Sequence, residues 1–345
     1  MHHPARRVAA RTRAGRDRPR RVVTVLTAVT LTALVAGCGT TGARTTGGDR
    51  EKTPPGFPVT VTNCGVSTTY QRPPQRAVTL NQHTTEIMLA LGLEDHMVGT
   101  AYLDDRILPE YREQYRRIPV LAERYPSYEA LLKKAPDFVY GGYSSAFSQQ
   151  DGRSRQRLRE AGINTHLNIA NCTDEPVGMS EVHEEIRTVA KIFGVPQRAE
   201  KLIDRMTDTL SQVQRRLGDV QPVSVFVYDS GTKSATTTGG DGIANAIVRM
   251  SGGRNIFADQ RESFFDVSWE QVIRQRPERI VILDYGSTTV EQKRNALLNK
   301  PALADVPAVE HRRFAVLPLS SAVTGVRVPR AVAELSEQLH PGRFR

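Results

Sequence analysis

The sequence lacks the motifs on which most exported hydrolases and nucleotide-binding proteins depend. It has no G-x-S-x-G nucleophile elbow, no H-E-x-x-H zinc motif and no phosphate-binding loop. Asp229-Ser230-Gly231 lacks the leading glycine of an elbow, and His183-Glu184-Glu185 lacks the second histidine of a zinc site. The sequence therefore predicts that the protein is not an enzyme, although an exported small-molecule hydrolase stays open as a hypothesis.

Clustered metal ligands and long apolar runs are missing too. Several histidines lie far apart without ligand spacing: His96, His166, His183, His311 and His340. Direct binding of zinc or manganese, which needs converging side chains, is therefore not expected. The apolar run 22–35 is shorter than the roughly 20 residues that span a bilayer. With 39% hydrophobic and 24% charged residues, the chain has the composition of a globular protein.

Positive charge is concentrated at the N-terminus. Residues 1–37 contain eight arginines and one aspartate, which together supply +7 of the formal net charge of +10 and leave +3 for the other residues. This distribution argues against a nucleic-acid-binding surface. Arginines followed by the apolar run 22–35 indicate that residues 1–37 are a secretory signal peptide. The pair Arg20-Arg21 is a weak indication of twin-arginine export.

The segment after this run indicates lipidation. Leu34-Val35-Ala36-Gly37-Cys38 resembles the bacterial lipobox, in which the cysteine receives a diacylglyceryl group and becomes the mature N-terminus. A plain signal peptide followed by a chance cysteine is the alternative. Residues 38–56 are rich in Gly, Thr and Pro, which predicts a flexible tether after the lipidated cysteine.

One segment of the chain occurs in two similar copies. Residues 127–143 read SYEALLKKAPDFVYGGY, and residues 268–286 read SWEQVIRQRPERIVILDYG. In each copy a serine, Ser127 or Ser268, can cap a helix, a glutamate follows in the first turn, and a proline closes the helix. Each copy continues into an apolar run typical of a buried strand. The repeat predicts two halves of related architecture with a ligand between them, since ligands bind beyond the carboxyl ends of parallel strands.

A long amphipathic segment lies between the two copies. In residues 197–217 apolar side chains recur every three or four positions, which predicts one helix of roughly 30 Å that joins the halves stiffly. The predicted fold class is α/β, with two Rossmann-like lobes that have parallel sheets. The lobes are predicted at residues 57–196 and 218–345, joined by this rigid interlobe helix.

Three local predictions complete the secondary structure. Residues 59–62 and 67–70 are expected to pair as a hairpin. Residues 84–91 are expected to form a helix with threonine caps and Glu86 in its first turn. Residues 229–242, rich in Gly and Thr, are expected to form a polar loop.

The order of several segments resembles one protein family. They begin at residues 76, 126, 247, 268 and 312 and read RAVTLNQHTTEIMLALGLEDHMVGTA, PSYEALLKKAPDFVY, IVRMSGGRNIFAD, SWEQVIRQRPERIVIL and RRFAVLP. Together with the lipobox and the long helix they resemble the substrate-binding lipoproteins of iron-siderophore, haem and cobalamin ABC importers, which have the helix-hinged, class III binding-protein fold. The resemblance covers residues 57–341. NQHTTEIMLALGLEDHMVGTAYLDD and VFVYDSG also resemble a subgroup proposed to bind a deazaflavin (F420-type) precursor.

The resemblance implies capture of a metal chelate outside the membrane and its delivery to a permease driven by an ATPase. The first expectation is an Fe(III)-siderophore, with cobalamin, haem or a deazaflavin precursor as alternatives. The protein is expected to be a monomer, lipid-anchored on the extracytoplasmic face of the cell membrane, with no cofactor of its own and no nucleic-acid partner. A ligand sensor that does not take part in transport is a further hypothesis.

A large, partly aromatic and often anionic chelate needs aromatic faces and fixed cations in its site. Candidate ligand contacts lie at or near the predicted strand ends: Asn81, His83, Tyr102, Arg106, Tyr140, Tyr143, Tyr228, Lys233, Trp269, Tyr285 and Arg327. Trp269 and its counterpart Tyr128 could instead pack under their own loops. Lys233 and Arg327 could be solvated charges, and His83 could be a helix-capping or core residue.

The family further implies two acidic residues that dock the permease, one on each lobe. Glu86 matches the first position, whereas Ala246 stands at the second, so that a neighbouring acidic residue would have to replace it. The cysteines that remain after lipidation of Cys38 are Cys64 and Cys172. In an exported chain we expect these two to form a disulfide, with separate free thiols as the alternative.

Overall fold

The computed structural model describes residues 54–344. The predicted signal peptide, Cys38 and residues 39–53 of the tether lie outside the described residues. The strands are β1 Val59–Asn63, β2 Val66–Tyr70, β3 Ala77–Leu80, β4 Met97–Ala101, β5 Val120–Ala122, β6 Phe138–Gly141, β7 Asn164–Leu167, β8 Val223–Tyr228, β9 Ala235–Thr238, β10 Gly253–Asn255, β11 Phe264–Val267, β12 Arg279–Asp284 and β13 Phe314–Pro318. The α-helices are α1 Gln82–Ala90, α2 Arg112–Tyr115, α3 Tyr128–Leu132, α4 Arg155–Glu160, α5 Met179–Ile192, α6 Pro196–Leu217, α7 Ile243–Met250, α8 Trp269–Gln275, α9 Val290–Leu298, α10 Pro307–Glu310 and α11 Val328–Leu339.

Two parallel sheets organise these elements. The first has the strand order β5-β4-β3-β6-β7 and the second the order β10-β8-β12-β13. Without the extra edge strand β5, the two sheets have the same order. In each, the first strand of the half (β3 or β8) occupies the second position, next to the strand of the repeated segment (β6 or β12). The predicted α/β fold with two parallel-sheet lobes is confirmed. Two antiparallel pairs, β1 with β2 and β9 with β11, are added to this frame.

The repeated segment forms the same structure in both halves. The Ser127 side chain accepts a hydrogen bond from the Ala130 amide, and the Ser268 side chain accepts one from Gln271, so each serine caps its helix as predicted. Leu131 and Val272, the inward residues of the two short helices, are both buried. The strands that follow, β6 and β12, each occupy an inner position in their sheet.

A carboxylate anchors each copy to the first strand of its sheet. The Asp137 carboxylate accepts hydrogen bonds from the amides of Gln75 and Arg76, at 2.7 and 2.9 Å. In the second half Glu278 accepts one from the Ser224 amide at 2.8 Å. These hydrogen bonds lower the pKa of Glu278, because they favour its charged form. The two copies therefore share a helix, a strand and a carboxylate that hydrogen-bonds to the neighbouring strand or to the residues directly before it.

Helix α6 begins at Pro196, one residue before the predicted start, and runs unbroken to Leu217. Its apolar stripe is buried against α5 of the first half and α11 of the second. Pro196 occupies the first turn, where its missing amide hydrogen costs nothing. The predicted long interlobe helix is confirmed. Because one rigid element packs on both halves, small tilts are easier than wide separation.

Two local predictions were wrong. Residues 229–242 are not one loop, because β9 forms within them; its β-branched threonines suit a strand, and Thr236 bonds to Asp266 of β11 at 2.7 Å. Helix α1 begins at Gln82 rather than residue 84, and its N-cap Asn81 makes no capping hydrogen bond. Thr84 and Thr85 instead donate to the Asn81 carbonyl, so they bond back to the backbone inside the helix.

The described residues contain no helix that is both long and apolar enough to cross a membrane. Cys64 and Cys172 form a disulfide, with their Cα atoms 4.7 Å apart. The bond ties the turn between β1 and β2 to the segment after β7. Asn63, beside Cys64, reinforces this junction because its side chain donates to the Leu167 carbonyl at 2.8 Å.

We expect the variant Cys64→Ser/Cys172→Ser to lose about 2 to 4 kcal/mol of the free energy of unfolding, because its unfolded chain regains the freedom of a long loop. Urea denaturation of the oxidised wild type and the variant measures the loss. The reduced wild type serves as a control and should match the variant. Alkylation of both thiols in wild type that has never met a reductant would show that the bond does not form.

Candidate ligand cleft

A cavity of about 180 Å³ lies between the two halves. The first half contributes the segments that follow β3, β6 and β7, including His83, Tyr143 and Asn168. From the second half come the start of α7, Phe264 of β11, and the loop between β13 and α11. The segments that follow β3, β6, β7 and β13 lie at the carboxyl ends of parallel strands, which is where open α/β sheets bind ligands.

His83 forms part of the floor of this cavity and is only 4% exposed. Its Nε2 lies 3.2 Å from the Gly142 carbonyl oxygen, and its ring meets Tyr143 edge to face at 5.1 Å. Burial lowers the pKa of His83 to about 4, because the charged imidazolium would lose its hydration. At neutral pH the cavity therefore contains a neutral imidazole.

Two glycines make room for this imidazole. A Cβ on Gly142 would collide with the His83 ring, and a Cβ on Gly325 would come within 3.0 Å of the His83 Cβ. Gly142 belongs to the first half and Gly325 to the second. The position of His83 thus depends on close backbone approach from both sides.

Direct hydrogen bonds between the halves lie beside the cavity. The Asn168 side chain donates to the Thr324 carbonyl at 3.2 Å, and the Val177 amide donates to the Asp241 carbonyl at 2.8 Å. These contacts hold the cavity walls in their present relation. Wider opening requires them to break.

Four predicted contacts of the first lobe lie in or near the cleft. His83 and Tyr143 line the cavity. Asn81 is fully buried behind them, with φ of 91°, and its Oδ1 accepts from the Gly142 amide and from the Tyr125 hydroxyl. Tyr102 stacks edge to face on Tyr125 at 4.7 Å. Asn81 thus shapes the loop that holds the cavity residues.

Two other first-lobe residues lie elsewhere. Tyr140 was expected in the cleft but is a core residue with no exposed surface, and its hydroxyl donates to buried Glu185. The physical reason is strand alternation: Tyr140 is still inside β6, so its side chain faces the helix layer. Arg106 is exposed, and its carbonyl rather than its guanidinium takes part in contacts to other elements.

The aromatic candidates of the second lobe form a group of their own and do not line the cavity. Trp269 is buried, donates to the Thr232 carbonyl at 2.9 Å and packs on Tyr228 at 5.8 Å. Trp269 is thus a packing residue rather than a cavity residue, and the loop that it contacts is the one between β8 and β9. Tyr285 faces Lys293, whose Nζ lies 4.5 Å from the ring centroid. Lys233 is exposed.

Burial and the neighbouring charge of Asp229 raise the pKa of Tyr285 to about 12. Lys293, which sequence reasoning missed, is 4% exposed and donates to the Leu283 carbonyl at 2.6 Å. This cation is therefore committed to the protein itself. Its position one turn inside α9 carried no signal in the sequence, because α9 was not predicted.

Arg327 was predicted to contact the ligand and Glu86 to dock the permease, but the two side chains bind each other. The Arg327 guanidinium forms a bidentate ion pair with Glu86, with both N–O distances at 2.6 Å, although the two residues belong to different lobes. Their side chains are 8% and 1% exposed. Arg327 is thus not a free cation for an anionic ligand, and Glu86 has no surface to offer to a permease. Ala246, at the second docking position, is also buried.

The rest of the guanidinium is also hydrogen-bonded. It donates to the Arg106 carbonyl at 2.6 Å and to Ser320 at 2.9 Å, and it lies 3.3 Å from the Asp105 carboxylate. Three segments of the two lobes converge on one side chain. This network leaves no local signal in the sequence, because its two charges are 241 positions apart.

A family model described as periplasmic binding protein matches residues 78–320. The chain is 27% identical over 317 residues to the uncharacterized ABC transporter substrate-binding lipoprotein YvrC of Bacillus subtilis (strain 168), an alignment that covers 90% of this chain and 95% of that protein.

Two solved structures share the fold. A periplasmic binding protein from Veillonella parvula DSM 2008 superposes with a TM-score of 0.75 and 29% identity, covering 82% of this chain and 97% of the other. An ABC-type Fe3+-hydroxamate transport system protein from Saccharomonospora viridis DSM 43017 superposes with a TM-score of 0.69 and 25% identity, covering 82% and 99%.

We expect Glu86→Gln to lower the free energy of unfolding by about 3 to 5 kcal/mol, because it leaves the buried Arg327 charge unpaired. The matched control is Arg330→Gln. Arg330 pairs with Glu334 at 2.7 Å, but both side chains are about half exposed, so the loss should stay under about 1 kcal/mol. Urea denaturation at pH 7 measures both. Equal, small losses would contradict the importance of burial at this pair.

His83 should make stability depend on pH. Because its folded-state pKa of about 4 lies below the usual 6.5, the folded protein binds fewer protons, and its contribution is complete above pH 6.5 and lost as the pH falls towards 4. Between pH 7 and pH 5 the wild type should lose about 2 kcal/mol more than His83→Gln. Denaturation at both pH values tests this, with the exposed His311→Gln as control. A slope unchanged by His83→Gln would refute it.

Proposed function

This chain belongs to the periplasmic binding protein family, and we propose that it is the extracytoplasmic substrate-binding lipoprotein of an ABC importer. In this role it captures a metal chelate, most simply an Fe(III)-siderophore, in the cleft between the lobes and delivers it to the permease. The observation that carries the proposal is the cavity itself, because both lobes supply its walls: the first lobe contributes the carboxyl ends of three parallel strands, and the second contributes the segment after β13, the start of α7 and β11.

The similarities support this reading. The Bacillus relative, which this chain matches over nearly its whole length, is named as an ABC transporter substrate-binding lipoprotein. The Saccharomonospora protein of the same fold is named for Fe3+-hydroxamate transport. Proteins of this family bind solutes and do not transform them, so we propose no catalytic step.

The metal of the chelate is expected to stay bound to its chelator. Within residues 54–344 no group of three or more His, Cys, Asp or Glu side chains is placed to hold a metal ion. Arg327 and Lys293, the two buried cations that could have bound an anionic ligand, both donate to protein oxygens instead. Recognition would therefore rest on aromatic and apolar surface and on neutral hydrogen-bonding groups, which favours a chelate of low net charge.

The cavity is smaller than the roughly 300 to 1,000 Å³ of sites for drug-sized ligands. A whole chelate would need the lobes to tilt apart, and one part of it would then occupy the cavity. Tyr143 and Phe264, the latter 41% exposed, stand on opposite lobes where the remainder would lie. We propose that the permease senses the lobe arrangement set by the ligand.

Membrane attachment and docking complete the proposal. Cys38 would hold the protein on the extracytoplasmic face of the membrane as a lipid-anchored monomer. Docking through Glu86 is not included, because that carboxylate is buried against Arg327.

The test is calorimetric titration of the purified protein with ferrioxamine, haem and cobalamin in turn. We expect saturable one-to-one binding of one of the three and recovery of that ligand unchanged by mass spectrometry. Chemical conversion of the ligand would favour a hydrolase. Binding without any associated permease or ATPase in the host would favour a sensor.

A further inference from the structure

The cavity between the lobes has no charged wall. Within residues 54–344, the residues that line it include no Asp, Glu, Lys or Arg, in a chain with 24% charged residues. Its two titratable residues are neutral at pH 7, because burial lowers the pKa of His83 to about 4 and raises that of Tyr143. A charged group in the cavity would therefore lose hydration without gaining an ionic partner. The occupant is expected to be uncharged.

The amide side chains of the wall are already used by the protein. Asn171 donates to the carbonyls of Gly142 and Asn168, at 2.9 and 3.1 Å, and Asn168 donates to the Thr324 carbonyl at 3.2 Å. His83 Nδ1 and Thr324 Oγ1 have almost no accessible surface, so they lie behind the wall rather than on it. These polar groups hold the two sides of the cavity together and leave little hydrogen bonding for a ligand.

The accessible surface of the cavity is consequently mostly carbon. Ala170 of the first lobe and Val323 of the second are half-buried residues of the wall, and Val177, Ile243 and Ala322 complete it. Transfer of apolar ligand surface from water to such a wall is favourable, and sites of this kind orient the ligand with few polar groups.

Two aromatic residues of the wall come from different lobes. Tyr143 follows β6 and is positioned by its edge-to-face contact with the His83 ring at 5.1 Å. Phe264 begins β11 and is 41% exposed although it is large and apolar. A ligand ring that enters the cavity can meet both side chains, and aromatic pairs in offset or edge-to-face geometry gain more than the burial of their area alone.

From the uncharged wall, the used amides and these two rings we propose that the cavity binds an uncharged monocyclic aryl group carried by the ligand, such as a phenyl or phenol ring. The ring contacts Tyr143 of one lobe and Phe264 of the other. Ser263, an exposed residue of the wall, adds a hydroxyl that can pair with one neutral polar substituent. This inference rests on the proposed function and names the part of the ligand that enters the cavity.

The size of the cavity agrees with one ring. A cavity of roughly 150 Å³ holds one benzene molecule, so about 180 Å³ accommodates a six-membered ring with a small substituent. Fused ring systems are larger and would require the lobes to lie further apart. Because the ring contacts both lobes, its binding favours their present arrangement.

The experiment uses the full chain in detergent and fluorobenzene as the probe, with binding followed by ¹⁹F NMR. Two analogues of similar size complete the series: N-methyl-3-fluoropyridinium, whose ring carries a charge, and fluorocyclohexane, whose ring is not aromatic. We expect saturable binding of fluorobenzene. The pyridinium should bind at least about tenfold more weakly, because its charge loses hydration, and fluorocyclohexane about two- to tenfold more weakly, because it lacks the aromatic contacts.

Two pairs of variants locate the site. Ala170→Leu places a larger side chain in the cavity wall and should weaken fluorobenzene binding at least about tenfold, because the probe no longer fits. Ala130→Leu, at an exposed position of α3, should bind as the wild type does. Phe264→Ala should weaken binding about two- to tenfold and reduce the preference over fluorocyclohexane. Its control, Leu132→Ala, shortens an apolar side chain of similar exposure, 37%, outside the cavity and should have no effect.

Support requires saturable binding of fluorobenzene, the stated preference over both analogues, and effects confined to Ala170→Leu and Phe264→Ala. The proposal is overturned if fluorobenzene fails to bind up to its solubility limit, if either analogue binds as tightly, or if Phe264→Ala binds as the wild type does. The calorimetric titration with chelates is independent of this result. A chelate that binds while fluorobenzene fails refutes the cavity assignment and leaves the transport function standing.

Discussion

The arrangement of the two lobes depends on the buried ion pair between Arg327 and Glu86. Each charge alone would be costly at that depth, because a buried ion without a partner loses its hydration with nothing in return. The pair forms only when α1 of the first lobe and the start of α11 of the second lie together. Ser320, Asp105 and the Arg106 carbonyl satisfy the other donors of the guanidinium. The ion pair thus couples side-chain electrostatics to lobe geometry.

Helix α6 supplies a second constraint of a different kind. Its apolar stripe packs against both lobes. Because these contacts are apolar, a small shift of α6 against either lobe leaves no charge without its partner. The cleft contacts are weaker: two hydrogen bonds, Asn168 to Thr324 and Val177 to Asp241, join the lobes beside the cavity. Admission of a large ligand can therefore break these contacts while α6 stays packed. A stiff helix with a modest cleft opening is the motion that this distribution of contacts favours.

The chemistry of the cleft follows from which polar groups are already used. Arg327 and Lys293 are bound to protein oxygens, so the cavity itself presents neither cation. His83 is neutral because burial disfavours its charged form. What remains is an aromatic and apolar wall with a few neutral donors and acceptors. A site of this kind selects by shape and by individual hydrogen bonds more than by net charge.

Local chemistry made much of the fold predictable. The repeated helix and strand, with caps at Ser127 and Ser268, follow from hydrogen bonds and burial patterns a few residues apart, and the long helix 196–217 follows from its apolar period. The prediction of a loop at residues 236–238 was wrong because these threonines form a strand only by pairing with β11, which was not recognised in the sequence. The prediction that Tyr140 lies in the cleft was wrong because Tyr140 is still inside β6, one residue before the strand ends, and strand alternation decides which side it faces.

The amino-acid pattern by itself determined the class of fold, the doubled architecture and the placing of His83 and Tyr143 at strand ends. Only the tertiary structure decided that Glu86 pairs with Arg327, that Trp269 packs under the loop between β8 and β9, and that His83 and Thr324 line one cavity. The physical reason is range. Helix caps and periodic burial act between near neighbours, whereas the pairing of a buried charge depends on atoms brought together from distant parts of the chain.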